Sequence, residues 1–428
     1  MKVLHLSTSD ITGGAARAAY RLHSGLRRIG VDSHMFVANC KSSDPSVQSV
    51  GSAPTLALRV QRQLRLHQIA RDFAPYAHHK LPGSEPFSDD RSRYAGELPR
   101  RLPAADLLTL HWVAGLLDYQ SFFGGLPARV PVVWRLSDMN AFTGGCHYDA
   151  GCGRWVSGCG SCPQLGSSSV GDLSQRVWRR KEATFRALEH DQLHIVALNG
   201  WMADSVRQSP LLRKFPVHII PNGIDTEAYA PRDRAFARKV LGIPQQARVV
   251  LFVAMAASNK RKGFGLLLQA LARMHELPNL FLLSIGKKVS GVDPSLPHLA
   301  VGELSHDRLL SLVYSAADLF VIPSLQDNQP STVLEALACG IPVVGFNTGG
   351  IAEMVRQDVT GALVPVGDVK GLQAALSSLL TDEPRRVALG AAARQLAWSD
   401  YRQEVQVRRY VELYTELYAR HQRVAAAR

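Results

Sequence analysis

The most informative stretch of this sequence runs Pro323-Ser-Leu-Gln-Asp-Asn-Gln-Pro-Ser-Thr-Val-Leu-Glu-Ala-Leu-Ala-Cys-Gly-Ile-Pro-Val-Val-Gly345. An apolar run at residues 318–322 leads into it, as expected of a buried strand. Apolar residues at helical spacing predict a helix from Ser331 to Cys339 that Gly340 ends, and a second apolar strand at residues 341–346 begins at once. The stretch is therefore predicted to be a strand–loop–helix–strand unit of a parallel sheet.

Two carboxylates in this unit are candidates for ligand binding. Asp327 lies in the loop, and Glu335 lies one turn inside the helix. Ligands of open parallel sheets bind beyond the carboxyl ends of the strands, where a helix N-terminus favours phosphate. An alternative interpretation makes Asp327 a helix cap and Glu335 a solvated helix residue. Glu335 stands between apolar neighbours, however, and a carboxylate so close to a core is usually paired.

The stretch resembles the acidic signature of the retaining, nucleotide-sugar-dependent glycosyltransferases of family 4, which have the GT-B fold. In that signature two glutamates flank seven residues, and the helix ends in Ala-Cys-Gly-x-Pro-Val-Val. Here Asp327, one methylene shorter, takes the first position and Glu335 the second. The resemblance implies that Glu335 binds the donor ribose and that Asp327 faces the donor sugar. It also implies that Ser331 and Thr332 belong to the donor site and that the Gly302-Glu303 loop lines the nucleotide base.

Two strand-to-helix turns resemble the phosphate-binding parts of the same family. Gly13 and Gly14 follow a predicted first strand, without the Gly-x-Gly-x-x-Gly pattern of dinucleotide cofactors, and a simple tight turn is the alternative interpretation. Lys262 stands where the family has the lysine that holds the leaving diphosphate. Arg261 is expected to replace a family arginine, because Ala256 occupies its usual position. A solvated charged turn explains these cations equally well.

One strand end departs from the family pattern. The predicted strand at residues 131–139 ends in Ser137 and Asp138, where the family usually has His-Asp with the histidine near the donor sugar. Serine cannot donate a proton as an imidazolium does. His111, at the end of the neighbouring strand at residues 106–113, is the nearest candidate replacement, and a purely structural role is its alternative. The catalytic candidates at this end of the chain are therefore Asp138 and His111.

A cysteine-rich loop follows this strand. Four of the six cysteines fall within 17 residues: Cys146, Cys152, Cys159 and Cys162. Glycines between them let a loop turn around a tetrahedral ion, and disulfides are rare in a reducing cytosol, so the pattern favours structural zinc. An iron–sulfur cluster and thiols that are free or disulfide-bonded are the alternatives, and His147 is an alternative ligand. The run Thr143-Gly-Gly-Cys-His-Tyr148 with this loop also resembles a bacterial subgroup of the same family.

Composition limits the function classes. The hydrophobic content of 46% and charged content of 20% over 428 residues are those of a globular protein with sizeable cores. The apolar start, residues 1–10, is too short for a signal peptide, and no apolar run approaches the ~20 residues that span a bilayer. We therefore expect a cytoplasmic protein. The net charge of +13 comes without a nucleic-acid-binding signature, so we predict no nucleic-acid partner.

A basic helix predicted at residues 56–71 has two interpretations. Its leucines and isoleucine recur at helical spacing between Arg59, Arg62, Arg65 and Arg71. Such a helix suits an anionic membrane surface, which would make the protein peripheral at the inner face of the cell membrane. A surface helix that buries its apolar face and leaves the arginines in water explains the pattern equally well.

The predicted architecture is α/β with the GT-B fold, two Rossmann-like βαβ domains that face each other across a cleft. Residues 1–207 form an acceptor domain on which a C-terminal helix, 401–428, packs back, and residues 208–400 form the nucleotide-sugar domain. The resemblance implies a retaining hexosyltransferase, without a catalytic metal, that uses a UDP- or GDP-type sugar. The acceptor is expected to be a glycan or lipid-linked glycan of exopolysaccharide, capsule or lipopolysaccharide synthesis. A nucleotide-sugar isomerase, a phosphorylase and an inactive GT-B-like scaffold are the alternatives.

Overall fold

The chain folds into two compact α/β units in the computed structural model. The structure describes residues 1–51, 55–79, 85–127, 130–287 and 289–426. The first unit comprises Met1–Pro221 with Gln406–Arg428, and the second comprises Asn222–Val405. Each unit has its own sheet and its own apolar core. The predicted fold class, α/β with two Rossmann-like domains, is confirmed.

A parallel sheet organises the first unit. Its strands are β1 (Lys2–Ser9), β2 (Asp32–Asn39), β3 (Val47–Ser49), β4 (Leu107–Leu110), β5 (Val132–Arg135), β6 (Leu193–Ala197) and β7 (Val217–Ile219). They lie in the order β3-β2-β1-β4-β5-β6-β7. The central strands β4 and β5 are buried along their whole length because helices cover both faces of a parallel sheet. The helices are α1 (Gly14–Arg28), α2 (Leu56–Phe73), α3 (Leu98–Arg101), α4 (Tyr119–Gly125), α5 (Leu173–Arg186) and α6 (Gly200–Gln208).

The second unit repeats this plan. Its strands are β8 (Arg248–Ala256), β9 (Leu280–Lys287), β10 (His298–Gly302), β11 (Leu319–Ile322), β12 (Val343–Phe346) and β13 (Gly361–Val364). They lie parallel in the order β10-β9-β8-β11-β12-β13. The helices are α7 (Arg234–Leu241), α8 (Phe264–Ala272), α9 (Asp307–Ser315), α10 (Ser331–Ala338), α11 (Ile351–Met354), α12 (Val369–Thr381), α13 (Glu383–Asp400) and α14 (Gln403–Ala426), the last of which continues into the first unit.

The C-terminal helix α14 completes the core of the first unit. Tyr410 and Tyr414 are fully buried in a cluster with Val3, Leu107 and other apolar side chains of the sheet. Tyr414 Oη also lies 2.7 Å from Thr109 Oγ1 of β4, a hydrogen bond in the interior. The helix therefore contributes both apolar contacts and a specific polar contact to a sheet formed by the start of the chain.

The observed division of the chain differs from the predicted one. The first unit extends to Pro221, whereas the prediction ended it at residue 207, because β7 hydrogen-bonds to β6 and adds an edge strand to the first sheet. At the other end the second unit extends to Val405, since Tyr401 packs into its core. Residues 208–221, which were predicted to begin the second domain, therefore belong to the first unit.

Helix α2 does not fit the interpretation in which it buries an apolar face and leaves its arginines in water. None of its residues is buried. Arg62 is paired with Glu97 at 2.6 Å and Arg65 with Asp118 at 2.7 Å, so two of the arginines contact the protein instead of water. The large apolar side chains that remain exposed are Leu56, Val60, Leu64 and Leu66. Within the described part of the chain, no helix is long and apolar enough to span a membrane.

Both sheets have a topological switch point, where consecutive crossovers leave in opposite directions. In the first unit it lies between β1 and β4, and in the second between β8 and β11. Loops at the carboxyl ends of such strand pairs diverge and leave a crevice for ligands. The functional residues predicted from the sequence follow these strands and their neighbours.

Candidate functional site

A charged cluster forms where the loops after β8 and β11 meet. Lys262 Nζ lies 2.6 Å from Asp327 Oδ2, and Arg261 Nη1 lies 3.1 Å from the same oxygen. Arg261 also donates a hydrogen bond to the backbone oxygen of Gln326 at 2.7 Å. Asp327 is 4% exposed, so two cations compensate one buried carboxylate and the cluster keeps a positive charge.

Gly263 makes this meeting of loops possible. Its φ of +70° costs glycine little, and a Cβ at this position would lie 1.8 Å from the backbone oxygen of Pro323 at the end of β11. Gly349 plays the same part on the other side, where a Cβ would lie 2.2 Å from the backbone oxygen of Asp327. The backbone at Gly263 therefore packs against that at Pro323, and the backbone at Gly349 packs against that at Asp327. These contacts keep Lys262 close to the carboxyl ends of β8 and β11.

Glu335 is a buried and paired carboxylate. It is 6% exposed, and its Oε2 accepts a hydrogen bond from Tyr314 Oη at 3.0 Å. Burial, together with the nearby Glu335, raises the pKa of Tyr314 well above its ordinary value, so the phenol remains a donor. Ser331 and Thr332, in the first turn of α10, are half-buried. Glu335 is therefore not a solvated helix residue, and Asp327 does not cap the helix, whose N-cap is Pro330.

Gly302 and Glu303 lie apart from this cluster. Gly302 is the last residue of β10, the edge strand, and Glu303 follows it. Strand β9 lies between β10 and β8. Glu303 forms an ion pair with Lys287 at 3.0 Å, and both side chains are more than half exposed. The structure therefore brings together Arg261, Lys262 and Asp327 but leaves this loop at the border of the sheet.

Gly13 and Gly14 open helix α1 at the switch point of the first unit. Gly13 has φ of +90° and precedes the helix, and Gly14 is its exposed first residue. The preceding loop is held by Asp10, whose carboxylate accepts hydrogen bonds from the backbone N–H groups of Lys41 and Ser42 at 2.9 and 2.7 Å. The double glycine thus forms a fixed helix start.

His111 is a buried, neutral imidazole. Its Nε2 lies 2.9 Å from His5 Nδ1, and burial, with a smaller contribution from His5, lowers the pKa of His111 well below its ordinary value. It lines the same cavity as Asp138, so the two predicted residues are neighbours. The imidazole that contacts Asp138, however, belongs to His147.

Asp138 is held by three donors. His147 Nδ1 lies 2.6 Å and Trp112 Nε1 2.9 Å from Asp138 Oδ2, while the Asn140 N–H donates to Oδ1 at 2.9 Å. Burial opposes ionisation of this carboxyl, but the charge of His147 and these hydrogen bonds outweigh it and hold the pKa of Asp138 below its ordinary value. His147 Nε2 meets Ser88 Oγ at 2.8 Å, so both ring nitrogens are engaged and neither is free to bind a metal ion.

The role of His147 was missed from the sequence, where its neighbours pointed to metal ligation. The only signal for the contact was the Thr143-Gly-Gly turn, which lets the chain double back after β5. The partner of Glu335 was missed for a different reason. Tyr314 lies in the apolar helix α9, where its hydroxyl carries no sequence signal.

The four loop cysteines line one small cavity in the first unit. The Gly144 N–H donates to Cys159 Sγ at 3.2 Å. Burial raises the pKa of Cys159 to about 12. Among the residues that the structure describes, no group of three or more His, Cys, Asp or Glu side chains is arranged to hold a metal ion. As they stand, the thiols share a cavity without forming a metal cage.

The charges of the second unit define what its site can bind. Two cations and the N-terminus of α10 lie beyond the strand ends, an arrangement that suits a diphosphate. Glu335 offers a buried carboxylate that can accept hydrogen bonds from hydroxyl groups. A nucleotide combines a diphosphate with ribose hydroxyls.

Comparison with protein families finds a match within the second unit. Residues 233–396 match the family model of group 1 glycosyl transferases. A D-inositol 3-phosphate glycosyltransferase of Geodermatophilus obscurus is 34% identical over 197 residues, which is 42% of this chain and 43% of that protein. The chain thus spans about half the length of the curated relatives it matches.

Solved structures match over almost the whole chain. Sucrose-phosphate synthase from Thermosynechococcus elongatus has a TM-score of 0.64 at 18% identity, covering 98% of this chain and all of that one. Anabaena Alr3699/HepE in complex with UDP-glucose has a TM-score of 0.63 at 16% identity, covering 97% of this chain and all of that one. At such low identity these likenesses establish the fold, GT-B, and no more.

We predict that Gly263→Ala disrupts the charged cluster. The new Cβ would collide with the Pro323 carbonyl and force alanine into a left-handed conformation, so the free energy of unfolding should fall by at least ~2 kcal/mol. Thermal unfolding followed by circular dichroism measures the change.

Gly265→Ala is the matched control, two residues away. Nothing lies within 4 Å of a Cβ at Gly265, which is exposed within α8, so stability should stay the same or rise. Equal unfolding temperatures for the two variants would contradict the close backbone contact.

Proposed function

We propose that this chain is a retaining glycosyltransferase of the hexosyl type, which moves a sugar from a UDP- or GDP-type donor to an acceptor hydroxyl. The observation that carries the proposal is the cluster of Arg261, Lys262 and Asp327 beside the buried Glu335. It lies at the switch point of the second sheet, inside the region that matches group 1 glycosyl transferases. The acceptor is a glycan or lipid-linked glycan, in exopolysaccharide, capsule or lipopolysaccharide synthesis.

In this proposal the chain's own cations balance the charge of the leaving diphosphate. Lys262 and Arg261 are already oriented by Asp327, so little reorganisation is needed when negative charge grows on the leaving group. N–H groups at Ser331 and Thr332 add to this. These groups take the role that a divalent cation plays in other transferases, which supports a reaction without a catalytic metal.

Other residues have supporting roles in the proposal. Glu335 accepts hydrogen bonds from the donor ribose, and Asp327 faces the donor sugar once the phosphate shares its cations. The Gly302-Glu303 loop lines the nucleotide base. His111, as a buried neutral imidazole, is not assigned to proton donation, which corrects the role expected for it from the sequence.

We expect one nucleoside diphosphate among UDP, GDP, ADP and TDP to stabilise the protein against heat. At 100 times its dissociation constant a ligand adds ~2.7 kcal/mol to the free energy of unfolding. In Glu335→Gln the amide can still accept the Tyr314 hydrogen bond but lacks the charge, so the ligand-induced shift should shrink strongly. Differential scanning fluorimetry measures both.

Glu276→Gln is the control for this experiment, because Glu276 is 92% exposed and lies in the same unit. Its ligand-induced shift should equal that of the wild type. Failure of all four nucleotides to stabilise the wild type would remove the basis of the transferase proposal and favour an inactive scaffold.

We also propose that the four loop cysteines bind structural zinc. Four thiols around one cavity match zinc in number and chemical type, and the backbone N–H of Gly144 already donates to one of the sulfurs. The loop also holds Ala150, Cys159 and Ser161 in the left-handed region, strain that non-glycine residues adopt only when their surroundings demand it. Binding requires the side chains to turn toward the cavity they share.

We expect purified protein to carry about one zinc ion per chain by inductively coupled plasma mass spectrometry, and Cys159→Ser to lose it. Cys40→Ser is the matched control, because Cys40 is exposed and outside the loop. Iron with visible absorbance, or an equal metal content in wild type and Cys159→Ser, would overturn the zinc proposal.

We further propose contact with an anionic membrane surface through helix α2. The chain has a net charge of +13, and α2 exposes Leu56, Val60 and Leu64 by 78%, 52% and 60% beside the exposed Arg59. Apolar side chains and cations on one exposed helix suit an interface with acidic lipids.

We expect the protein to sediment with vesicles of phosphatidylcholine and phosphatidylglycerol but not with phosphatidylcholine alone, and less at high salt. Serine at Leu56, Val60 and Leu64 together should weaken sedimentation, whereas Val387→Ser, at an exposed site in the other unit, should not. Equal sedimentation with both kinds of vesicle would contradict this surface.

A further inference from the structure

Helices α1 and α14 cover one face of the first unit's sheet, and histidines are concentrated in the layer between them and the sheet. The members of this histidine layer are His5, His23, His111, His194 and His218. His5, Thr109 and His194 lie on the same face, because β1, β4, β5 and β6 pair in register at these positions. Helix α1 contacts this row through the ring of His23, and α14 contacts it through the bond of Tyr414 to Thr109.

The histidine layer is buried. His5 and His23 are 0% exposed, and His111 and His194 are 2% exposed. Within the described part of the chain, every buried histidine belongs to the first unit. Trp134, by contrast, lies on the opposite face of the sheet and packs in an aromatic core. One face of this sheet therefore buries ionisable rings where the other buries apolar ones.

His5 and His111 share one hydrogen bond at the centre of the layer. Nδ1 of His5 lies 2.9 Å from Nε2 of His111, and the second nitrogen of each ring has no hydrogen-bond partner among the described groups. A first extra proton can bind at one of these outer nitrogens, where it places a charge in the interior. A second would set two N–H groups against each other across the shared bond. The pair is therefore most stable when both rings are neutral.

The groups that act on this pair give its positive charge no counter-charge. Burial, with a smaller contribution from His23, lowers the pKa of His5 well below its ordinary value. Burial lowers the pKa of His111 in the same way, with smaller contributions from His5, Arg135 and His23. Asp138 lines a cavity with His111, but its carboxylate is bonded to His147.

Helix α14 adds only neutral groups above this part of the layer. Tyr410 and Tyr414 are fully buried and lie close enough to Arg135 to interact with its charge. Burial raises the pKa of both phenols above its ordinary value, so neither supplies a negative charge. A proton that enters the layer here meets the cation Arg135 and no anion of α14.

His23 has a carboxylate within reach, but other groups already share it. Its ring nitrogens lie 2.8 Å from Ser33 Oγ and 2.9 Å from Ser46 Oγ. Burial lowers the pKa of His23 to about 4, and the charge of Asp44 opposes this only in part. Other groups that face this end of the layer are Arg27 and Tyr20, both bonded to Asp44, and His34, whose charge also acts on His23.

His194 and His218 form a second pair at the other end of the layer. Nδ1 of His194 lies 3.3 Å from Nε2 of His218. Burial, followed by the charge of His218, lowers the pKa of His194 to about 4. Burial also lowers the pKa of His218, which Glu416 of α14 opposes. The nearest carboxylates, Asp191 and Glu416, are more than half exposed, and both pair with Arg420.

We propose that the histidine layer is an acid-sensitive switch, in which protonation releases helix α14 from the sheet and loosens the first unit while the second unit stays folded. The switch acts whatever reaction the protein catalyses. Helix α14 is the element released, because its bond to Thr109 lies between the two histidine pairs.

The lowered pKa values set the direction and the range of the pH dependence. Above pH 6.5, the ordinary pKa of histidine, the rings are neutral in the folded and in the unfolded chain, so their burial costs no stability. As the pH falls from 6.5 toward 4, the unfolded chain binds protons that the folded chain does not bind. Stability is therefore lost on acidification through this range.

Urea unfolding at pH 7.5 and pH 5, followed by tryptophan fluorescence, tests the switch. Five of the six tryptophans lie in the first unit, so the signal reports that unit. In His194→Asn the rise of the unfolding equilibrium constant on acidification should be about thirtyfold smaller than in the wild type. A group with a pKa of about 4 when folded and 6.5 when unfolded contributes that factor.

His5→Asn is the second variant, and its pH dependence should also be weaker than that of the wild type. In both variants the asparagine amide can replace Nδ1 in the hydrogen bond to the partner ring. Each variant is compared with itself at two pH values, so a lower stability at pH 7.5 does not obscure the result. His67→Gln, at an exposed position of α2, is the control and should behave as the wild type.

Hydrogen exchange with mass spectrometry locates the change. After correction for the intrinsic exchange rate, peptides from residues 406–426 of α14 should lose protection at pH 5 and regain it on return to pH 7.5. Peptides from β11 and α10 of the second unit should keep theirs. Equal pH dependence of the wild type and both asparagine variants would overturn the switch, as would equal protection of α14 at the two pH values.

Discussion

The buried ion pair between Asp327 and Lys262, at 2.6 Å, is the contact on which the second unit's site depends. An isolated carboxylate at 4% exposure would cost far more than a surface charge, so Asp327 is stable there only while Lys262 and Arg261 stay beside it. The loops after β8 and β11 are therefore mutually dependent, and Gly263 lets their backbones come close enough for the charges to meet. A binding site assembled in this way has its cations in place before any anion arrives.

The first unit places its charged group by a different means. Asp138 directly follows a strand, but the side chain that holds it comes from a loop that runs away from the sheet and returns through the Thr143-Gly-Gly turn. Phe87 pairs with Cys146 next to this turn, and Lys181 donates to the backbone oxygens of Asn140 and Thr143 from helix α5. The charged side chains of the second unit thus follow regular strands, whereas the position of His147 in the first unit depends on the path of an irregular loop.

This difference explains how far the sequence could predict the molecule. The unit around Asp327 and Glu335 was predictable because strand, loop, helix and charged residues are contiguous, and their spacing fixes their positions. The fold class followed from alternating apolar runs and helical periodicity for the same reason. The end of the first unit at Pro221 was missed because a sequence pattern can indicate a strand such as β7 but not the sheet that it joins, and here its partner is β6. The contact of His147 with Asp138 was missed because the path of an irregular loop depends on packing.

The hydrogen bond between Thr109 and Tyr414 joins positions 305 residues apart, and this affects the order in which the protein folds during synthesis. The strands of the first sheet leave the ribosome first, yet Val3 and Leu107 stay uncovered until the last helix has been made. The second unit is one continuous segment, Asn222–Val405, and can close before that helix emerges. The half of the protein that is synthesised first therefore finishes folding last, and part of its sheet stays exposed to solvent until then.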